Sequence, residues 1–154
     1  IEDIYKLIIG NPGLKPMACG LGARDTLRIE MGFPLYGNEL SDTTSPIDSD
    51  LEKFVDLSKK EFVGKSNIEE RIKSKKFTLI GLKMNDKTIP RSGYKILSKN
   101  KIIGHVTSGT FSPILKRGIC LGLIEYQCVD FNEFQIEIRK KYEDAEKVKY
   151  PFIR

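Results

Sequence analysis

The chain has 154 residues, 40% hydrophobic and 31% charged, with 26 basic and 21 acidic side chains giving a net charge of +5. This is the composition of a globular protein with room for one domain, or for one small domain and part of another. It excludes a helical membrane span, which needs roughly 20 apolar residues in succession, and Cys19, Cys120 and Cys128, odd in number and without C-x-x-C spacing, indicate neither a disulfide frame nor a zinc site.

The first segment, "IEDIYKLII", places Ile1, Ile4, Tyr5 and Ile8 at helical spacing, and Gly10 follows as a stop. Glu2 and Asp3 stand where a secretory signal is basic, and a chain that opens on Ile1 rather than Met reads as a piece of something longer. "NPGLKP" is a turn-rich connector. A short helix is expected over Ala23–Met31, with Leu27 and Met31 four apart and Gly32 ending it. Residues 33–50, with two prolines and "SDTTSP", read as an irregular loop, and Leu51–Leu57 as a strand or a short helical turn. In "KSNIEERIKSKK", Ser66 and Glu69 have capping-box spacing, and Ile68 and Ile72 form one apolar stripe.

Beyond Lys76 the pattern changes to short β-rich runs: "FTLIGLKM", "GYKIL", "KIIGHVTSG", "ICLGLIEY", "FQIEIRKK" and "KVKYPFI". Six strands at this spacing predict a small antiparallel barrel or sandwich over 76–154. Residues 1–75, with short helices and a long loop, have too little apolar pattern to enclose a core and read as the end of a larger domain. Apolar side chains among Ile1–Ile9 and Leu27–Phe33 are then expected to be exposed or covered by a partner chain.

Several chemistries fail on their residue requirements. "GLGARD" lacks the third glycine and preceding strand of a dinucleotide fingerprint. No G-x-S-x-G elbow accompanies the sole histidine, His105, which also has no second metal-ligand type nearby. The lysine clusters fall at turns and helix ends without the interleaved aromatics of a nucleic-acid face, so they read as solvated surface. "TSGTFSP" offers four hydroxyls, either as an anion-binding backbone or, more simply, as a barrel turn. Arg24 at a helix start opposes the helix dipole unless an acid answers it. Asp25 in a salt bridge and a carboxylate ligand fit equally well.

"GLGARDTLRIEMGFPLYGNEL", "TSPIDSDL", "EFVGKSNI", "IPRSGYKIL", "IGHVTSGTFSPILKRGICLGLI" and the terminal "YPFIR" together resemble the glycine cleavage system T-protein family, in the family's order and over nearly the whole chain. Parts of the pattern are shared with sarcosine and dimethylglycine dehydrogenases and a sulfoniopropionate demethylase. The resemblance implies an α+β chain: the C-terminal part of a folate-binding domain over residues 1–75, then a six-stranded antiparallel β-barrel over 76–154. It implies an aminomethyltransferase that takes a one-carbon unit from the lipoyl arm of H-protein, releases ammonia and uses tetrahydrofolate as acceptor. Its compartment would be bacterial cytoplasm or mitochondrial matrix.

The resemblance covers somewhat less than half of the family's length. The aspartate beside the reactive folate nitrogen and the Thr-Gly-Glu segment lie upstream in the family, so no catalytic residue is expected in this chain. Arg24 matches the folate-binding arginine of the family's Ala-Arg-Asp segment. Glu30 and Tyr36 stand near enough in sequence to line or support the folate hole, although packing or a local ion pair is the plainer reading of both. Two positions depart from the family pattern. Lys53 stands where an aromatic is usual, with Phe54 one place later, and the family tail often continues where this chain ends at Arg154. The other readings are a different member of the folate-binding superfamily, such as a demethylase or an iron–sulfur assembly protein, and a non-enzymatic basic binding module.

Overall fold

A computed structural model describes residues 1–153, and Arg154 lies outside the described residues. Three helices come first: α1 (Glu2–Ile9), α2 (Leu21–Glu30) and α3 (Lys65–Lys73), with a 3-10 turn at Glu52–Phe54. Six strands follow: β1 (Phe77–Met84), β2 (Lys95–Ser98), β3 (Lys101–Ser112), β4 (Arg117–Glu125), β5 (Phe134–Ile138) and β6 (Lys141–Val148). They close into a barrel in the order β1-β4-β3-β2-β5-β6, all neighbours antiparallel and β6 returning to β1. Closure leaves no row of unpaired backbone groups at an edge. No helix among the described residues is long and apolar enough to cross a membrane.

The barrel interior follows the two-residue period of its strands. Ile80, Leu82 and Met84 of β1, Cys120 and Ile124 of β4, and Phe134, Ile136 and Ile138 of β5 form one buried cluster. The alternate residues Leu79, Ile119 and Leu121 face outward, yet they are buried as well, as are Ile29 of α2 and Ile47. The helix lies on β3 and β4, so the barrel has a second apolar layer on one side.

A bulge decides which residues of β3 meet that layer. Val106 pairs with Gly122 and Ser108 with Leu121, leaving Thr107 as the extra residue. One inserted residue reverses the inward–outward alternation beyond it. Val106 therefore packs in the core, while Ser108, Thr110 and Ser112 point outward with Leu121 and Ile119. Thr107 spends its hydroxyl on the Leu121 carbonyl at 3.0 Å.

Three local expectations are corrected. The sixth strand is "KYEDAEKV", not the "KVKYPFI" run; only Ala145 of β6 is buried, so the strand carries little apolar signal. Helix α3 begins at Lys65 behind Gly64, whose φ is +87°, and no side chain caps it; Ser66 is already inside the helix. The "TSGTFS" segment is strand β3 rather than a turn.

The chain after β6 turns back onto α2. That helix ends in a Schellman arrangement: Phe33 N–H donates to the Arg28 carbonyl at 2.8 Å and Gly32 N–H to that of Ile29 at 2.9 Å. Gly32 has φ +68°, and a Cβ there would stand 2.6 Å from Cδ2 of Tyr150. The Tyr150 hydroxyl donates to Asp50 at 2.8 Å, and the Phe152 N–H to the Glu30 carbonyl at 2.7 Å. Gly32→Ala combines a left-handed backbone with this collision and is expected to cost about 2 kcal/mol or more, measured by urea unfolding. Burial, then the Asp50 carboxylate, push the Tyr150 phenol well above its ordinary value. A pKa raised by folding stabilises fully below the unfolded value, about pH 10, and the contribution fades as pH rises beyond it. Unfolding midpoints measured from pH 8 upward should fall more steeply for the parent chain than for Tyr150→Phe, at about pH 10 and above.

Candidate functional site

The residues around α2 fall into a buried set facing the barrel and an exposed set facing away. The buried set centres on Arg28, whose side chain is 9% exposed. Its Nε donates to Asp25 at 2.7 Å, Nη1 to Glu39 at 3.1 Å and to the Phe33 carbonyl at 3.3 Å, and Nη2 to Ser108 at 2.8 Å. A buried guanidinium is tolerable only when its charge and its fork of donors are both answered. Two carboxylates, a carbonyl and a hydroxyl do so here.

Glu39 extends this network into the loop that follows α2. Its Oε2 also accepts from Leu35 N–H at 2.9 Å, closing the tight 35–40 turn, while Ser49 donates to the Glu39 carbonyl. Asn38 Nδ2 reaches the same Ser108 oxygen at 2.9 Å. Two more contacts join helix and strand: Thr26 with Thr110 at 3.0 Å, and Ser112 donating to Glu30 Oε1. Outward-facing hydroxyls of β3 thus each meet α2. The bulge at Thr107 is what presents them.

The expected site residues divide across this boundary. Glu30 is 1% exposed and sits at the helix–barrel seam. Tyr36 is 70% exposed; its hydroxyl donates to Asp42 at 2.7 Å, and that bond, followed by slight desolvation, raises its pKa. Arg24 is exposed and makes no ion pair or side-chain hydrogen bond among the described residues. Asp25 is spoken for by Arg28 one turn later, so the local salt bridge considered for Arg24 does not form. Sequence reading passed over Arg28, Glu39 and Asn38. The hydroxyl run was its one visible sign, since partners 80 and 11 residues away from Arg28 leave no local pattern.

Residues 1–33, which include Arg24, expose many apolar side chains. Leu21 is 82% exposed, Leu27 63%, Phe33 59% and Met17 84%, and every apolar residue of α1 is exposed too. Phe54 is also exposed, with the Lys53 ammonium 5.2 Å from its ring centre. With Leu21 and Leu27 one turn away on either side along α2, the exposed Arg24 guanidinium, unpaired among the described residues, suits a flat, partly apolar ligand that carries an acceptor. Among the described residues no cluster of His, Cys, Asp or Glu side chains could hold a metal ion.

Fold and site together define the class: a closed six-stranded antiparallel barrel with a helix-and-loop segment packed on its β3–β4 side. Residues 78–153 match the family described as glycine cleavage T-protein C-terminal barrel domain, and residues 4–59 match the GCVT N-terminal domain. An aminomethyltransferase of Aquifex aeolicus is 48% identical over 138 residues, covering 88% of this chain and 38% of that protein. One from a Thermoanaerobacter species is 47% identical over 134 residues, covering 84% and 35%. The crystal structure of the glycine cleavage system aminomethyltransferase T from Bartonella henselae superposes with a TM-score of 0.89 at 28% identity, over 99% of this chain and 43% of that one. The chain belongs to the glycine cleavage T-protein family, a family of enzymes, and corresponds to its C-terminal region. It spans well under half the length of the relatives it matches.

The buried network makes a stability prediction. Arg28→Met leaves the Glu39 carboxylate buried without its cation and is expected to cost about 3 kcal/mol in urea unfolding. Adding Glu39→Gln, which removes the stranded charge, should restore part of that loss.

Proposed function

We propose that this chain is the C-terminal part of an aminomethyltransferase of the glycine cleavage system. The complete enzyme transfers the aminomethyl-derived one-carbon unit from lipoylated H-protein to tetrahydrofolate and releases ammonia. Residues 1–75 end the folate-binding domain and 76–154 form the barrel domain. Family membership and the aminomethyltransferase relatives support the reaction class. The observation that carries the site assignment is the division of labour between two arginines one helical turn apart. Arg28 has its donors committed inside the protein, whereas Arg24 keeps its fork available on an exposed apolar face.

In this reading Arg24 donates to an acceptor on the folate, and its permanent charge suits the acidic end of that molecule. Tyr36 lines the same wall with its ring. Glu30 supports the wall from behind through Ser112. When bound, tetrahydrofolate supplies the nucleophilic nitrogen that accepts the one-carbon unit. The groups that act at that nitrogen belong to the part of the enzyme that precedes this region in the family. That part also accounts for the exposed apolar side chains of α1 and α2, which it would cover. The compartment is the cytoplasm of a bacterium or the mitochondrial matrix of a eukaryote.

Formation of methylene-tetrahydrofolate with lipoylated H-protein tests the assignment. The chain of 154 residues should give no turnover, and a polypeptide of the relatives' length carrying this region should be active. In the longer polypeptide Arg24→Ala should weaken tetrahydrofolate binding about tenfold. Turnover by the shorter chain would defeat the incomplete-site reading. Salt-sensitive RNA binding unaffected by Arg24→Ala would instead favour a basic binding module.

A further inference from the structure

The Ser108 hydroxyl oxygen accepts two hydrogen bonds from two different segments. Arg28 Nη2 of α2 donates at 2.8 Å, and Asn38 Nδ2 of the following loop at 2.9 Å. A hydroxyl oxygen has two lone pairs, so both are occupied. Arg28 lies one helical turn beyond Arg24, and Asn38 lies two residues beyond Tyr36. The other seam hydroxyls do not join α2 to the loop that follows it: Thr110 meets Thr26 of α2, and Ser112 donates to Glu30 of α2 and accepts from Leu115 N–H in the turn after its own strand.

We propose that Ser108 is a positioning residue for the folate wall, setting the spacing between Arg24 and Tyr36 by tying their two segments to one point on the barrel. This rests on the reading of Arg24 and Tyr36 as folate contacts. The anchor is suited to the task. Ser108 is 2% exposed and sits just past the Thr107 bulge, paired with Leu121 of β4 within a closed barrel. Glu39 Oε2 braces the two arms by accepting from both Arg28 and Leu35. Ligand groups held in place before binding lose less freedom on binding, so the anchor contributes to affinity without touching the ligand.

The experiment uses the longer polypeptide with tetrahydrofolate as titrant. Ser108→Ala should raise Kd and KM about tenfold while leaving kcat within about twofold, because substrate placement rather than chemistry is disturbed. A core variant away from the seam, Ile136→Val, compared at equal distance below its unfolding midpoint, should leave Kd unchanged. Arg24→Ala should cost much less affinity in the Ser108→Ala background than in the parent, since the guanidinium is already misplaced there. A loss no greater than that of Ile136→Val, or full additivity with Arg24→Ala, would overturn the proposal. If the parent polypeptide takes up no tetrahydrofolate, the function reading fails instead. The mechanical link is then read from amide hydrogen exchange across residues 23–27 and 35–40. Ser108→Ala must accelerate both segments, and unchanged exchange in either refutes the link.

Discussion

A guanidinium taken out of water must be answered on every side, and the placement of Arg28 governs much of this structure. Its charge is balanced by Asp25 and Glu39 and its donors are distributed over the helix, the following loop and the barrel. Such a network gains little net energy over a well-packed apolar contact, because desolvating the charges offsets their attraction. What it supplies is direction. An apolar contact tolerates sliding, whereas a fork of donors requires each acceptor to stand in its own place. The helix, the 35–40 turn and β3 can satisfy Arg28 together in only a narrow set of arrangements.

The barrel is the reference body for that arrangement. Its closed antiparallel pairing and its core of branched apolar side chains provide a rigid frame. A single extra residue, Thr107, turns the hydroxyls after it from the inside to the outside. Without that reversal Ser108, Thr110 and Ser112 would enter the apolar interior, and α2 would face Thr107, Gly109 and Phe111 in their place. The returning tail secures the far end of the helix through Tyr150 on Gly32 and Phe152 on Glu30. Helix α2 is thus held from the barrel side along its length and from the tail at its end.

The exposed side chains of the helical segments have a different character from this hydrogen-bonded seam. The apolar residues of α1, Leu21, Leu27 and Phe33 are exposed, as is Arg24, and so much large apolar surface is unusual on an ordinary protein exterior. The family's members that the chain matches extend well beyond the region they share with it. The two arginines of "ARDTLR" illustrate the division, one consumed by the architecture and one presented to whatever meets the exposed face.

The sequence by itself determined the local elements and the family. The strands β1 and β4 were legible because their apolar residues run almost without interruption, and α1 because its apolar residues repeat at helical spacing. Strand β6 was not, since its outward face is charged and a single small residue, Ala145, faces the core; only its neighbours β5 and β1 make it a strand. Arg24 stood out only through the family's Ala-Arg-Asp segment, which it matches. The tertiary structure alone decided that Asp25 serves Arg28, that Glu39 and Ser108 complete the set, and that "TSGTFS" is a row of anchors rather than a turn. Local patterns record the preferences of neighbouring residues. The partners of a buried charge come from segments up to 80 positions apart, and the bulge that brings them together is visible only once the strands have paired.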